Sequence, residues 1–279
     1  TPDVARSFAE RQRLFNLPRS SWDDYDKSLI SKGGGVYPRS AKSIALSPEA
    51  RAVIGITAEE LPPLELLKAI LQAPVDLLYN GGIGTYVKAS FETHAQVGDK
   101  ASDAFRVNGS ELRCKVVAEG GNLGCTQNGR IEYAQKGGLI YTDAIDNSAG
   151  VDCSDHEVNI KILLGGVVEA GDLTLKQRND LLASMTDEVG HLVLQDNYYQ
   201  TQALDIATHR PLYVLDGQQR LMQWLEGSKR LNRAIEFLPT DDEIAKRRAR
   251  KQGLTAPENA VVLAYAKMSA FDELVASNL

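Results

Sequence analysis

VDLLYNGGIG, residues 75–84, sets the fold: an apolar run the length of one strand breaks directly into glycines. The same pattern returns twice, in KVVAEGGNLGCT (residues 115–126) and in LIYTDAIDNSAG (residues 139–150). The runs Val75–Tyr79, Lys115–Ala118 and Leu139–Thr142 suit strands buried on both faces of a parallel sheet, where no polar alternation is needed. Connections of roughly 20–35 residues separate them, the length of helical crossovers. The β-α-β-α-β order predicts an α/β fold, with the second half of a Rossmann-like parallel sheet.

In open α/β sheets ligands collect at the carboxyl ends of the strands, and glycines there let the backbone approach a ligand closely. Gly81 and Gly82 follow the first strand, without the G-x-G-x-x-G spacing of a pyrophosphate turn. A plain tight turn explains them equally well. Asn122 follows the second strand. Its amide can serve a carboxamide or ribose, or close an Asx turn on its own backbone. Asn147 follows the third strand, in a turn that leads to Ser154. Ser154 with Glu157 reads as a capping box opening a helix, so its hydroxyl would stand beside free N–H groups and the positive end of the dipole. That setting suits a carboxylate, although a cap without a ligand also accounts for it. Three Gly- and Asn-rich strand ends on one rim weigh more than any one of them.

Upstream, the first ~30 residues read as helix and then irregular chain. Lys32–Gly35 reads as a hinge, and Val36–Leu46 as an edge strand or short hairpin. Ser47 caps a short helix that starts at Pro48 and stops at Gly55, and Thr57 with Glu60 forms a further capping box. Downstream, nearly everything reads as helix. Thr174 caps a stretch from Leu175 to about His209, Pro211 starts another that ends near Gly227, and Thr240–Glu243 and Thr255–Glu258 are two more capping boxes. Two domains follow: residues 1–153, a partial dinucleotide-binding, Rossmann-like domain, and residues 154–279, an all-α C-terminal helical region.

The chain has 279 residues, 43% hydrophobic and 24% charged, enough for a substantial core. A net charge of −6 argues against sequence-independent nucleic-acid binding, which runs on Lys and Arg. No apolar run reaches the ~18 residues of a membrane span, and no signal peptide opens the chain. Cys114, Cys125 and Cys153 lack C-x2-C spacing, so reduced thiols in a cytoplasmic protein are the simplest expectation. Cys153, Asp155, His156 and Glu157 point in different directions on a helix, so no metal or thiol-catalytic site is expected there. Lys246–Lys251 reads as a solvated face or subunit contact, and Met185, Leu192, Val193, Tyr198 and Tyr199 as helix core. The first residue is Thr1, and the motifs favour an excerpt of a longer protein.

The strand-end segments resemble the glutamate dehydrogenase superfamily pattern V-D-I-x-I-P-A-A-L, K-x-V-x-E-G-A-N-x-P-x-T and P-D-x-x-x-N-A-G-G-V-x-x-S-x-x-E. The departures are Gly81 and Gly82 for the alanines, Gly121 for alanine, and Ser148-Ala149 in the Asn turn. With those departures, NGGIGTYVK, AEGGNLGCTQNGRIEYA and TDAIDNSAGVDCSDHEVNIKILL are similar to the large NAD-specific glutamate dehydrogenases of bacteria. The resemblance covers almost the whole chain. It implies NAD as cofactor, L-glutamate and 2-oxoglutarate as substrate and product, and a full-length homo-oligomer. Gly81, Gly82, Asn122 and Asn147 would line the nicotinamide-ribose side of the NAD pocket. Val151 would pack on the glutamate side chain and Ser154 would hydrogen-bond its γ-carboxylate. The family's catalytic lysines and Asp have no counterpart and would lie upstream, so the chain alone is expected to be inactive. The alternatives are a related dehydrogenase of apolar amino acids and a non-catalytic helical module for assembly or regulation.

Overall fold

The computed structural model describes residues 3–278. Helix α1 (Val4–Asn16) is capped by Asp3 and docks through Glu10, whose carboxylate accepts from Arg13 and from the Asp26 amide. Strand β1 (Ile44–Ala45) leads into helix α2 (Pro48–Ile54) and returns antiparallel as strand β2 (Glu60–Leu61). Ser47 caps α2 and Gly55 ends it at φ 75°, as the sequence prescribes. Thr57 and Glu60 form no capping box. Glu60 pairs with Ala45 in the sheet instead, and helix α3 (Pro63–Leu71) starts behind Pro62.

Strand β3 (Leu77–Asn80), strand β4 (Val87–Lys88), helix α4 (His94–Val97), strand β5 (Val107–Asn108) and strand β6 (Val116–Glu119) follow. β3 and β6 pair in parallel, from Leu77 opposite Val116 to Asn80 opposite Glu119. On the far side of β6, Leu139 bridges Val116 in parallel. The order β3, β6, Leu139 is the one expected of the three apolar runs. The third run supplies a bridge and not a full strand, because the chain enters helix α6 (Asp143–Asp146) immediately after Thr142.

The first crossover departs from expectation. Instead of a long helix it holds β4 and β5, paired in parallel, joined by a loop with the single turn of α4 and a 3-10 turn at Lys100–Ser102. Thr93 and Gln96 cap that helix, and Gly98 stops it after one turn at φ 79°. The second crossover is helical: α5 (Gln127–Gln135), capped by Thr126. Around these elements Val87, Val107, Leu112, Val117, Tyr133 and Ile140 form the first core.

Helix α7 (Ser148–Glu169) begins well before Ser154. Asn147 ends α6 and starts α7 at once, so no extended residue is left to act as a later cap. The capping box of Ser154 and Glu157 therefore does not form. The Ser154 hydroxyl turns back on the Gly150 carbonyl, one turn earlier, at 3.1 Å. The division between residues 153 and 154 falls inside this helix. The stretch expected as one helix to His209 is two, α8 (Leu175–Ser184) and α9 (Thr186–His209), broken where Ser184 and Thr186 bond the carbonyls of Leu181 and Ala183.

Helix α10 (Pro211–Gly227), helix α11 (Asp241–Ala249) and helix α12 (Ala256–Ala276) complete the chain. The Thr255–Glu258 capping box forms; at Thr240 only half of one does, because Glu243 is drawn to Arg247. Arg247 is not part of a solvated face. It is buried and bonds Glu258 in two places, at 2.7 and 2.9 Å. Leu215, Met222, Leu225, Ile244 and Val262 build the second core around that pair. Of the five residues expected as core in the middle helices only Val193 is buried. Tyr198 and Tyr199 stand on the surface of an arm formed by α7, α8 and α9, in which α7 and α8 pack on little besides each other and α9 among the described residues. A small third core of Ile145, Leu204 and Ala260 joins the arm and α12 to the α/β part. No helix among the described residues is long and apolar enough to cross a membrane.

Candidate functional site

A cleft of about 760 Å³ opens where the tips of β6 and α6 meet the arm. Asn122 and Asn147 stand at its inner wall, and the Asn147 amide donates to the Asn122 side-chain oxygen. Ser148, Val151, Asp152 and Asp155 form an adjoining wall along one face of α7, at the i, i+3, i+4 and i+7 spacing of a single stripe. α9 supplies Asp196, Asn197 and Gln200 opposite, and α12 supplies Lys267, whose ammonium bonds Gln200 at 2.6 Å.

The tip of β3 reaches this rim through its backbone. A Cβ on Gly121 would sit 2.6 Å from the Gly82 carbonyl oxygen, so Gly121 has to be glycine for the two strand ends to approach. Gly82 itself faces open space, and a side chain there would meet nothing within 4 Å. Leu123 holds a left-handed φ of 61°, a strained position for a leucine. Its N–H is fixed by Asp143 at 2.7 Å.

Beneath the asparagines lies a buried charge network. Glu119 and Arg130 are paired twice, at 2.7 and 2.9 Å, and Arg130 also reaches Asp143 at 3.3 Å. Asp146 accepts the Glu119 N–H at 2.8 Å. Burial pushes the Asp146 carboxyl up to about 6, and the charges of Glu119 and Asp143 push the same way; the Glu119 N–H and Arg130 pull it back. Burial also raises the Cys125 thiol well above its ordinary value, which leaves it a poor nucleophile.

Four carboxylates line the cleft, Asp143, Asp152, Asp155 and Asp196, against one lysine. The wall therefore favours a cationic or neutral group over phosphate. His156 lies between Asp152 and Asp196, at 3.7 and 3.5 Å. These three offer ligand atoms within 4.8 Å of one another, a grouping of α7 with α9 that the sequence does not reveal.

Of the six residues singled out from the sequence, Asn122, Asn147 and Val151 line the cleft and Gly82 packs on its rim. Gly81 lies off the cleft, with Tyr79 beside it. Ser154 is not at a helix start, so the argument from free N–H groups and the dipole falls. It lies one turn beyond Val151, about 60° around the axis at the helical repeat of ~100° per residue. Missed from the sequence are Arg130, which forms the centre of the buried network, and the far wall of Asp196, Gln200 and Lys267. Glu119 and Asp143 stood in the quoted motifs. Nothing in a spacing of eleven residues marked Arg130 as the partner of Glu119.

Residues 1–207 match the family model described as bacterial NAD-glutamate dehydrogenase, catalytic domain. A protein of Pseudomonas aeruginosa named NAD-specific glutamate dehydrogenase is 60% identical over 276 residues, 99% of this chain and 17% of the relative. Proteins of the same name from Halomonas elongata and Mycobacterium tuberculosis are 57% and 51% identical across 100% of this chain, and 17% and 18% of their own lengths. The chain thus spans about a sixth of the length of these relatives. Asn122 just past the tip of β6, bonded to Asn147 at the junction of α6 and α7, glycines packed between the tips of β3 and β6, and a match across three quarters of the sequence lead to one placement: this chain belongs to the bacterial NAD-glutamate dehydrogenase catalytic-domain family.

Proposed function

We propose that this chain is the nicotinamide-side part of the active site of an NAD-specific glutamate dehydrogenase, acting within a longer protein. The observation that carries the proposal is the meeting of Asn122 and Asn147 at the carboxyl end of a parallel strand pair, with Val151 on the adjoining wall of the same cleft. On this reading β3 and β6 belong to a dinucleotide-binding sheet of the Rossmann type, residues 1–153 form its partial domain, and the helices that follow close the cleft. The relatives' printed name supports NAD and glutamate, and the cleft fits the coenzyme's reactive end. Two amides offer donors and acceptors to a ribose and a carboxamide, and carboxylates suit a ring that is cationic when oxidised.

Bound NAD supplies a hydride acceptor for the α-carbon of glutamate. Asn122 and Asn147 would hold the ring and its ribose, and the hydrogen bond between them fixes each amide's orientation. Val151 packs against the substrate's methylenes. Ser154 would donate a hydrogen bond to the substrate γ-carboxylate in place of the one it gives the Gly150 carbonyl. Gly82 would leave the ribose side of the rim open, whereas Gly81, off the cleft beside Tyr79, would act only by shaping that turn. Lysines and an acid for proton transfer come from outside this chain, and the assembled protein is a cytoplasmic homo-oligomer.

The test is kinetic and uses the full-length protein. Ser154→Ala should raise KM for glutamate about tenfold or more, the loss of one charge-assisted hydrogen bond of about 1.5–3 kcal/mol. KM for NAD should stay put. An unchanged KM for glutamate, or a wild-type preference for leucine over glutamate, contradicts the assignment.

A further inference from the structure

Arg130 is nearly inaccessible, with 6% of its side chain exposed, and it sits among three carboxylates: Glu119 on β6, Asp143 at the start of α6 and Asp146 at its end. Those carboxylates do more than balance its charge. Glu119 accepts the Cys125 N–H at 2.9 Å and Asp143 accepts the Leu123 N–H at 2.7 Å. The two bonds fall on the residues just after Asn122, the first and the third beyond it, and hold the loop that carries it. Asp146 ties the same strand to α6 through the Glu119 N–H, and α6 runs straight into Asn147.

A buried ion pair is a poor way to gain stability, since desolvation cancels most of its attraction. Its strength is geometric: a guanidinium fork fixes two carboxylates at set angles. Here the fork grips Glu119 in two places and pairs with Asp143 at 3.3 Å, and these two carboxylates in turn fix the loop. Leu123, in its left-handed conformation, is the strained residue that such a clamp must restrain.

We propose that Arg130 is a positioning residue of the coenzyme cleft: by holding Glu119 and Asp143 it sets the Asn122 loop and the Asn147 turn against each other. The assignment rests on the proposed contact of Asn122 and Asn147 with NAD. It deepens that reading by naming what keeps both amides in register before any ligand arrives.

The test compares Arg130→Lys, Asp143→Asn and Asn122→Ala in the full-length protein. Lysine keeps the charge but loses the fork. Asparagine keeps an oxygen for the Leu123 N–H but loses the ion pair. Both variants should raise KM for NAD about tenfold, leave KM for glutamate within about twofold, and speed amide exchange at Leu123 and Cys125 about tenfold relative to α10. General destabilisation would move both KM values and all amides together. Wild-type KM for NAD and wild-type exchange in both variants overturn the proposal. If Arg130→Lys does not fold, Asp143→Asn decides alone. If Asn122→Ala leaves KM for NAD unchanged, the coenzyme assignment fails, while exchange at Leu123 and Cys125 still decides whether the clamp exists.

Discussion

Asp146 shows how a site inherits a cost from its surroundings. It faces Glu119 on β6, Arg130 on α5, Asp143 on its own helix and Tyr141 just before it, and it shares a cavity with Asp205 and His209 of α9. Burial is the largest cause of its rise from 3.8 to about 6. A carboxyl whose folded pKa lies above its unfolded value binds its proton more tightly in the fold. Its contribution to stability is therefore present in full below about pH 4 and is lost as pH rises through about 6. Asparagine keeps an oxygen for the Glu119 N–H and has no charge to desolvate. Asp146→Asn should thus raise the melting temperature at pH 8 by about 2–4 °C, the usual response of a chain this size to ~1 kcal/mol, with the gain shrinking toward pH 5. Thermal melts at the two pH values check it. A gain that does not depend on pH, or a loss at pH 8, would show that Asp146 is needed in its charged form.

Elements meet here through backbone as much as through side chains. The contact of the β3 and β6 tips is a glycine contact, and its two sides are not equivalent. Gly121→Ala places a methyl 2.6 Å from the Gly82 carbonyl oxygen, so the tips must part; Gly82→Ala places one in open space. Gly121→Ala should cost about 1–3 kcal/mol as overpacking and weaken NADH binding with it, whereas Gly82→Ala should change folding stability by less than ~0.5 kcal/mol. Urea melts and NADH titration of both variants decide the point, and equal behaviour would refute the contact. This asymmetry was not legible in the sequence, where both positions are simply glycines after strands. What was legible followed local rules: the parallel strand cores at Leu77–Tyr79 and Val116–Ala118, and the starts at Ser47, Pro211 and Thr255. What was not followed from competition. Ser154 read as a cap because Ser-x-x-Glu satisfies a local rule, but the helix had already begun at Ser148 behind Asn147. Glu60 read as a cap partner and was taken by a sheet.

The whole molecule divides by how much each part buries. The α/β core and the core of α10, α11 and α12 are each closed around large apolar side chains and a buried Arg–Glu pair, Arg130–Glu119 in one and Arg247–Glu258 in the other. The arm between them is different. α7 buries only Leu164 in 22 residues, and α8 buries none. One wall of the cleft stands on that arm, through Val151, Asp152 and Asp155, while the asparagine wall stands on the clamp beneath β6. Half of the candidate site was legible because it sits on strand ends. The α9 and α12 half was not, because Gln200 and Lys267 reach it only by long-range packing. Local opening tracks burial, so the two walls should differ in stability. Amide exchange should be about tenfold or more faster in α8 and the distal half of α7 than in β6 and α10, a gap of ~1.4 kcal/mol or more in opening free energy. Adding NADH and glutamate together should slow exchange in α7 around Val151 and Ser154 more than in β6, since a ligand spanning the cleft restrains the looser wall most. Hydrogen-exchange mass spectrometry of the full-length protein measures both effects. Equal protection of α8 and β6 would mean that the arm is held by contacts beyond this chain.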